Sequence, residues 1–226
     1  MIRIRELNKN YGSKEVLKNI NLEFSAGKVV GIVGENGAGK TTLFRCIAGL
    51  EEYQGEITSE FSPLKNHLGL LLTEPFFFSR ITGREYLQLL CNARNIKIND
   101  FESKNIFDLP LDQYAITYST GMKKKLALTA ILLSGNRYFI FDEPFNGTDI
   151  QSNLLLTEII HKLRALKKIV IISSHIFSTL SDTCDEIHLL KKGELIKSVQ
   201  KNDFKNLEAE MKAISIGNKI DQLDLK

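Results

Sequence analysis

The sequence predicts an α/β fold with a parallel-sheet core, an N-terminal antiparallel β subdomain and an inserted helical subdomain. Alternating apolar and polar residues from Ile2 to Phe24, with a turn at Tyr11-Gly-Ser, are typical of two-faced antiparallel strands. Later runs at 28–33, 137–141 and 168–172 are short, apolar and rich in β-branched residues or aromatics, as buried parallel strands are. Segments with helical spacing separate these runs, and helices are what cover a parallel sheet.

The other elements follow in chain order. Residues 42–48 have the apolar spacing of a helix, which Gly49 ends. Short strands are predicted at 55–58 and 68–72, helices at about 84–95, 123–133 and 150–167, and a hairpin at 186–196. Residues 96–117 show no clear period. We expect one domain over residues 1–200, with the helical subdomain inserted at about 76–133, and a C-terminal tail over 201–226 whose role the sequence does not indicate.

Length and charge bound the possible functions. The chain has 226 residues, 43% of them hydrophobic, and a formal net charge of +3. The hydrophobic share is enough for a full core. The net charge does not indicate nucleic-acid binding, and nucleic acid is not expected as a partner. The basic triplet Lys123 to Lys125 lies in the first turns of a predicted helix without interleaved aromatic residues. A solvated helix face is therefore favoured over a nucleic-acid patch.

Cysteine content and hydropathy point to the cytosol. Cys46, Cys91 and Cys184 are odd in number and lack metal-ligand spacing, which indicates free thiols in a reducing compartment. The first residues lack the apolar region of a secretory signal, and no stretch approaches the roughly 18 apolar residues of a membrane span. Any role at a membrane is therefore expected to depend on a separate protein.

A glycine-rich segment between a predicted strand and a predicted helix indicates a phosphate-binding loop. Gly34 to Thr42 fits the pattern G-x-x-x-x-G-K-[ST]. Such a loop turns backbone N–H groups toward phosphates, its lysine supplies a cation for the β- and γ-phosphates, and its hydroxyl is a ligand for Mg²⁺. The core is therefore predicted to be that of a P-loop NTPase. The predicted nucleotide-binding residues of the loop are Gly34, Glu35, Asn36, Gly37, Ala38, Gly39, Lys40, Thr41 and Thr42.

Two buried runs end in polar residues where a parallel sheet presents its ligand edge. Residues 137–141 run into Asp142 and Glu143, and residues 168–174 lead to His175. Asp142, with Thr41, is placed to hold Mg²⁺, directly or through water, and Glu143 to polarise an attacking water. His175 could sense the γ-phosphate. Without the glycine-rich loop, the two acids would more simply cap the next helix.

Together these segments resemble the ATPase subunit of an ATP-binding cassette (ABC) transporter, over residues 1 to about 201. The motifs occur in the family's order and at its distances, which makes the resemblance specific. They are Tyr11 at the aromatic A-loop, Gly34 to Thr42 at Walker A, Tyr118-Ser-Thr-Gly-Met122 at the signature, Tyr138 to Pro144 at Walker B, Asn146-Gly-Thr-Asp149 at the D-loop and His175 at the switch histidine.

The resemblance implies a mechanism that needs a second cassette, either another copy of this chain or a homologue. The two would pack head to tail, with each ATP held between Walker A of one and the signature of the other. Ser119, Thr120 and Gly121 would form that signature contact, with Ser119 and Gly121 donating to the γ-phosphate. Loss of the γ-phosphate would open the pair, and that opening would power transport.

The resemblance also implies roles within one subunit. Glu143 would polarise the attacking water, which His175 would position, and Tyr11 would stack on adenine. Mg²⁺ bound with ATP would be the cofactor, held by Thr41 and Asp142. Asp149 would belong to the D-loop.

Two departures from the family's pattern bear on turnover. Thr120 and Met122 replace a Gly and the Gln of the usual Ser-Gly-Gly-Gln signature. Thr73 stands where the family commonly has a Gln that reaches Mg²⁺ and relays nucleotide state to the membrane partner. Three alternatives follow from this. Thr73 would reach Mg²⁺ through a water molecule, Glu74 would take the place of the Gln, or the coupling between nucleotide state and the membrane partner would be loosened. We expect reduced turnover rather than none.

The resemblance implies a separate transmembrane permease, which would hold this subunit peripherally at the cytoplasmic face of the membrane. Phe76, Phe77 and Phe78 lie where the family receives a helix of that permease; either they form an exposed contact, or at least two of them pack inside the helical subdomain. The alternative function is a soluble ABC ATPase acting on a ribosome, DNA or a cluster-assembly scaffold. A P-loop kinase is a more distant alternative, because it would need neither the signature nor His175.

Overall fold

The computed structural model describes residues 1–216. Its strands are β1 (Ile2–Tyr11), β2 (Lys14–Phe24), β3 (Val29–Val33), β4 (Gln54–Ser59), β5 (Leu68–Leu71), β6 (Tyr138–Asp142), β7 (Ile169–Ser174), β8 (Glu186–Lys191) and β9 (Glu194–Gln200). Its α-helices are α1 (Lys40–Ile47), α2 (Gly83–Asn92), α3 (Thr120–Leu133), α4 (Ile150–Ala165), α5 (Phe177–Ser181) and α6 (Phe204–Ile216). Short 3-10 turns lie at Leu64–Asn66, Glu102–Lys104, Ala115–Thr117 and Lys201–Asp203.

Two sheets organise these residues. Within 1–216, a three-stranded antiparallel sheet has the order β2-β1-β4, and a six-stranded sheet has the order β5-β6-β7-β3-β8-β9. In the larger sheet β9 runs antiparallel to β8, and the other neighbours pair in parallel. The predicted α/β fold is confirmed. Because β6, β7 and β3 are adjacent and parallel, the segments that follow them meet at one edge of the sheet.

Alternate residues of the parallel strands face two different hydrophobic clusters, as the period of two in a strand requires. In β3, Val29 and Val33 belong to a cluster with residues of α2 to α6, whereas Val30 and Ile32 pack with α1 and the antiparallel sheet. All of β3 is buried, because both faces of the sheet are covered. This explains the unbroken apolar runs of the sequence.

The segment between β5 and β6 holds α2 and α3, and its division as a helical subdomain stays a prediction. A capping box starts α2: Oγ1 of Thr82 accepts from the N–H of Glu85, whose carboxylate accepts from the N–H of Thr82. The aperiodic stretch after α2 is tied to the helix by Arg84, which pairs with Glu102 and Asp112. The side chain of Ser119 caps α3 by accepting from an N–H in its first turn.

One prediction about α3 is wrong. The triplet Lys123 to Lys125 is expected on a solvated face, yet Lys124 is only 3% exposed and Lys125 lies against Asp149, with 2.7 Å between Nζ and Oδ2. The physical reason is packing. The N-terminal turns of α3 lie against the loop that follows β6, so the middle of the triplet faces protein rather than water.

The C-terminal part of the described chain packs on the core. The five-residue helix α5 was not predicted, because one and a half turns show no period; it begins two residues after His175, with Ile176 as its N-cap. Phe204 of α6 meets Phe177 of α5 edge to face, with ring centroids 6.1 Å apart. Residues 217–226 of the predicted tail lie outside the described residues. No helix within residues 1–216 is long and apolar enough to cross a membrane.

The predicted free thiols are confirmed. Cys46, Cys91 and Cys184 are all buried and unbonded. Burial raises the pKa of Cys46 to about 11 and that of Cys184 to about 12.

Candidate functional site

A pocket of about 600 Å³ opens between the two sheets, at the edge where β3, β6 and β7 end. Tyr11 at the end of β1 lines one side of it, and the loop and first turn of α1, residues 36–42, line the floor. Thr73, Glu143 and His175 line the other side, each of them just after a strand of the parallel sheet. The structure therefore brings together residues that the sequence scatters over about 160 positions.

Two glycines of the loop are required by packing as well as by phosphate access. A Cβ on Gly34 would lie 2.3 Å from the carbonyl oxygen of Leu190 at the end of β8, so the backbone passes too close for any side chain. Gly39 has φ +110°, which side-chain-bearing residues rarely adopt, and its Cβ would meet β2. Both glycines fix the loop onto neighbouring strands.

Lys40 is buried beneath this loop. Its ammonium donates to the carbonyl oxygens of Gly34 at 2.7 Å and Glu35 at 3.2 Å. It also lies 3.4 Å from Oε1 of Glu143. Lys40, the one cation of the loop, therefore lies in the lining of the pocket. Gly34 and Glu35 do not line the pocket; their carbonyl oxygens bind the Lys40 ammonium.

Asp142 is fully buried and accepts three side-chain hydrogen bonds. Ser173 of β7 donates to Oδ1 at 2.6 Å, and Thr41 and Thr73 donate to Oδ2 at 2.6 and 3.0 Å. The carboxylate is thus held by the strand beside it, by the first turn of α1 and by the segment after β5. Its orientation toward Thr41 is fixed.

Glu143 and His175 form the other polar pair of the pocket. Oε2 of Glu143 lies 2.9 Å from Nδ1 of His175 and accepts from the His175 main-chain N–H at 3.3 Å. Because a carboxylate only accepts, this contact places the ring proton on Nδ1. Oε1 is buried and makes no hydrogen bond within the described residues; the Lys40 ammonium is near enough for attraction but not in hydrogen-bonding geometry. One carboxylate oxygen of this pocket-lining residue is therefore buried without a hydrogen bond within the described residues.

Tyr11 is held by charged neighbours although it is 44% exposed. Nζ of Lys9 lies 4.6 Å from the centre of its ring and also pairs with Glu51 at 3.1 Å. Burial is the main reason that the pKa of Tyr11 is raised, and the hydrogen bond of its hydroxyl with Glu51 adds to this. A cation on the ring favours the stacking of an electron-rich aromatic group.

The three signature residues do not line this pocket. Ser119 caps α3, with its hydroxyl oxygen 3.3 Å from the Met122 N–H, and Thr120 is exposed like Ser119. A Cβ on Gly121 would lie 3.1 Å from the carbonyl of Gly147, in the loop after β6. The first N–H groups of a helix have no partner inside the helix, so the start of α3 has donors that suit an anion.

Asp149 also lies away from the pocket lining. Its carboxylate caps α4, accepting from the N–H and the hydroxyl of Ser152 at 2.8 Å, and pairs with Lys125. The Lys125 ammonium, followed by the hydrogen bonds from Ser152, holds the pKa of Asp149 well below its usual range. The acid that caps this helix is therefore Asp149, and not the Asp142–Glu143 pair.

The aromatic triplet divides between surface and core. Phe76 and Phe78 are 74% and 56% exposed and meet edge to face, whereas Phe77 is buried against Tyr86 with ring centroids 4.6 Å apart. Of the two alternatives, the one in which at least two of the three pack inside is excluded, because only Phe77 is buried. Phe76 instead borders a second groove, of about 460 Å³, lined by β5, α2 and α3.

The residues present fit a magnesium ion that arrives with a nucleotide. Thr41 and Asp142 bring a hydroxyl and a carboxylate oxygen to one point, and oxygen atoms are the ligands that Mg²⁺ prefers. Within residues 1–216 no group of three or more His, Cys, Asp or Glu side chains could hold a metal alone. This is the usual arrangement for Mg²⁺ in nucleotide sites, where phosphate and water oxygens complete the coordination.

Several supporting residues of the site were not predicted from the sequence. Ser173 lies one residue from the end of its strand and showed no signal beyond its polarity. Lys9 and Glu51 are 42 positions apart and meet only because β1 pairs with β4 next to α1. For Lys124 a signal existed: it occupies the same helix face as Gly121, three residues earlier.

Comparison with known proteins identifies the family. The sequence model of the ABC transporter family matches residues 17–146 of this chain. The chain belongs to this family. It is similar to the ABC transporter ATP-binding protein NatA of Bacillus subtilis (strain 168), with 32% identity over 216 residues that cover 87% of this chain and 88% of that protein.

Solved structures of ABC proteins share the fold. An ATP-binding subunit of an ABC transporter has a TM-score of 0.81 and 24% identity, covering 92% of this chain and 93% of the other. A dimeric ATP-binding cassette in a post-hydrolysis state with ADP and Pi has a TM-score of 0.76 and 18% identity, covering 89% of this chain and 99% of the other. The predicted family is thus confirmed. As a member of it, the protein is an ATPase subunit of the ABC transporter type.

Proposed function

We propose that this ABC ATPase hydrolyses ATP in composite sites formed with a second cassette, and that ATP-driven closure and opening of the pair powers a membrane permease. The observation that carries the proposal is Oε1 of Glu143: a buried, basic oxygen without a hydrogen bond, in a phosphate-binding pocket. Buried acceptors of this kind are rare in structures unless they serve a ligand or a reaction. A water molecule bound there would satisfy it.

In the proposed reaction, Glu143 accepts a proton from that water as the water oxygen attacks the γ-phosphorus. The bond to the bridging oxygen breaks, and ADP and inorganic phosphate leave. In the tautomer whose Nδ1 proton is directed at Glu143, His175 has a lone pair on Nε2 that can accept the second hydrogen of the water. Lys40 offsets negative charge on the phosphates. Thr41 and Asp142 are the residues that would hold Mg²⁺, which would neutralise phosphate charge when bound.

The position of the signature supports a site shared between two chains. Ser119 and Gly121 lie at the start of α3, outside the pocket lined by residues 36–42. A head-to-tail pair would bring the α3 start of each chain over the other chain's pocket, where its N–H groups and positive helix end favour the γ-phosphate. Asp149, at the start of α4, would lie at the same interface. The dimeric cassette with ADP and Pi is a precedent among proteins of this fold.

The second groove is the proposed contact with the permease. Its walls include Leu70, Tyr86 and Leu90, and Phe76 stands exposed beside it. Exposed aromatic side chains bordering an apolar groove suit a helix from a partner. Because Thr73 lies between this groove and Asp142, the segment after β5 connects the proposed permease contact with the nucleotide pocket. Binding there would place the subunit at the cytoplasmic face of the membrane.

The proposal is tested with Glu143→Gln, which replaces the basic oxygen by an amide of the same shape. We expect this variant to bind ATP with Mg²⁺, to hydrolyse it slowly and to double its mass by light scattering when ATP is added. Lys40→Met is the matched control, since it should lose ATP affinity and stay at the monomer mass. A Glu143→Gln protein that binds ATP yet keeps the monomer mass would contradict the composite site. A Glu143→Gln protein that hydrolyses ATP at the unaltered rate would contradict the role of Glu143.

A further inference from the structure

Lys124 is a buried cation that spans the loop carrying Glu143. Its ammonium donates to the carbonyl oxygen of Glu143 at 3.0 Å and to that of Asn146 at 2.6 Å. The side chain is only 3% exposed. The N–H of Asn146 also donates to the carbonyl of Glu143 at 3.2 Å, so these residues form a turn whose first and last carbonyls are joined by Lys124.

This turn has an unfavourable backbone conformation. Glu143 has φ +50°, in the left-handed region that non-glycine residues rarely adopt. Pro144 follows it, and a proline restricts the residue before it further. Such a conformation persists only when the surroundings impose it, and it is commonest at functional sites. Two contacts impose it here: Ser173 accepts from the main-chain N–H of Glu143 at 3.0 Å, and Lys124 holds the carbonyl on the other side.

Burying the charged side chain of Lys124 in this turn is energetically unfavourable, because the ammonium loses contact with water. Removal from water is the largest influence on its ammonium and lowers its pKa, while the nearby carboxylates of Glu143, Asp142 and Glu74 act in the opposite direction. A hydrophobic residue would pack this position without that cost. The charge therefore calls for a reason other than packing.

The helix that carries Lys124 packs against the same loop near its N-terminus. Gly121 and Lys124 lie three residues apart on one face of α3, and this face contacts the loop after β6 at both positions. Gly121 approaches Gly147, and Lys124 approaches Glu143 and Asn146. The start of α3 and the backbone of Glu143 are therefore fixed relative to each other.

We propose that Lys124 is a positioning residue for Glu143: by binding both carbonyls of the turn, it holds the Glu143 backbone so that the carboxylate faces the attacking water, and it ties that position to the signature at the start of the same helix. The inference rests on the proposed function. In a head-to-tail pair the signature of one chain contacts the ATP of its partner, whereas Glu143 serves the ATP of its own chain. Lys124 is then a direct link between the two ATP sites.

The test compares variants that differ in hydrogen-bond donation. Lys124→Met keeps length and removes every donor, Lys124→Gln is neutral but keeps an N–H donor group, and Lys123→Met removes a charge from the preceding residue as the matched control. We expect kcat of Lys124→Met to fall roughly 30-fold, with KM and the ATP dissociation constant within about twofold. Lys124→Gln should be intermediate, and Lys123→Met unchanged. Nucleotide affinity is read by fluorescence titration, and folding by thermal unfolding.

A double-mutant cycle separates positioning from a merely structural role. If Lys124 acts through Glu143, adding Lys124→Gln to Glu143→Gln should lower the residual rate by no more than about twofold, since the residue it positions is already disabled. Additive losses, a Lys124→Gln rate equal to that of Lys124→Met, or losses of kcat matched by lost ATP binding would each overturn the proposal. The Gln variant keeps the test open if the Met variant does not fold.

The same measurements distinguish a failure of the role proposed for Lys124 from a failure of the role proposed for Glu143. A Glu143→Gln variant that retains full activity would overturn the assignment of Glu143, whatever Lys124 does. A slow Glu143→Gln variant together with a fully active Lys124→Met variant would overturn the role of Lys124 alone. ATP-dependent dimerisation of Glu143→Gln with and without Lys124→Gln adds a readout that does not depend on turnover, and we expect the same dimer mass in both.

Discussion

Thr73 and Thr41 donate to the same oxygen of Asp142, at 3.0 and 2.6 Å. The family resemblance implies a longer amide side chain, that of Gln, at the position of Thr73. In this chain its short hydroxyl is directed at the carboxylate proposed to hold Mg²⁺. The segment after β5 is therefore bound to the nucleotide pocket through the Thr73 hydroxyl, which donates to Oδ2 of Asp142 and also lies 3.4 Å from the Asp142 main-chain carbonyl oxygen.

Thr73→Gln is expected to raise kcat for ATP hydrolysis by about threefold to tenfold, because the longer amide can reach the region beyond Asp142. Thr73→Val, which keeps the shape and removes the hydroxyl, is the control and should lower the rate, since Asp142 loses a donor. Steady-state phosphate release measures both. An unchanged rate in Thr73→Gln would mean that Thr73 does not limit turnover.

His175→Ala should lower kcat roughly 100-fold while leaving ATP affinity nearly intact, because the variant loses both the ring that orients Glu143 and the acceptor for water. His175→Asn separates the two roles, since its amide N–H can replace Nδ1–H but not Nε2. A rate for the Asn variant well above that for the Ala variant would assign most of the effect to the 2.9 Å contact with Glu143. Equal rates would assign it to Nε2.

Tyr11→Ala should raise KM for ATP roughly tenfold, since stacking of a base on an aromatic ring is worth about 1–3 kcal/mol. Tyr11→Phe keeps the ring beside Lys9 and loses only the hydroxyl contact with Glu51, so its KM should stay within about twofold. Nucleotide affinity measured by titration checks both variants. If Phe and Ala at this position behave alike, the hydroxyl and not the ring face would recognise the nucleotide.

Phe77→Ala should destabilise the fold, whereas Phe76→Ala should weaken association with the proposed permease. Removing the buried ring of Phe77 should lower the free energy of unfolding by about 3–5 kcal/mol, whereas removing the exposed ring of Phe76 should change it by less than about 0.5 kcal/mol. Denaturant titration measures both. Co-purification with the permease should fall for Phe76→Ala and Phe78→Ala. Full retention of the permease by the variant lacking both exposed rings would place the contact elsewhere.

The parts of the site that follow strands were predictable from the sequence. Buried parallel strands appear as unbroken apolar runs, and the polar residues that end them, Asp142, Glu143 and His175, must meet at one edge. The loop from Gly34 was recognisable because its function fixes residue types at fixed spacing. The predicted α/β fold rested on the same regularities.

The supporting contacts were not predicted, for reasons that differ from residue to residue. Lys124 was placed on a solvated face because charge runs usually are, and only the packing of α3 on the loop after β6 buries it. Phe77 was not distinguished from Phe76 and Phe78, because a stretch without regular structure has no period to assign faces. Ser173 looked like the polar end of a strand, and its bond to Asp142 depends on the register between β6 and β7.

The nucleotide pocket is lined by residues from both sheets. Tyr11 belongs to the antiparallel sheet, whereas Glu143 and His175 follow strands of the parallel sheet, so the two ends of a bound nucleotide would be recognised by residues of two different sheets. Because Lys9 and Glu51 contact Tyr11, substitutions there are expected to change nucleotide affinity with little effect on Glu143 and His175. In this architecture, nucleotide affinity and the rate of ATP hydrolysis depend on residues of different sheets and can change through separate substitutions.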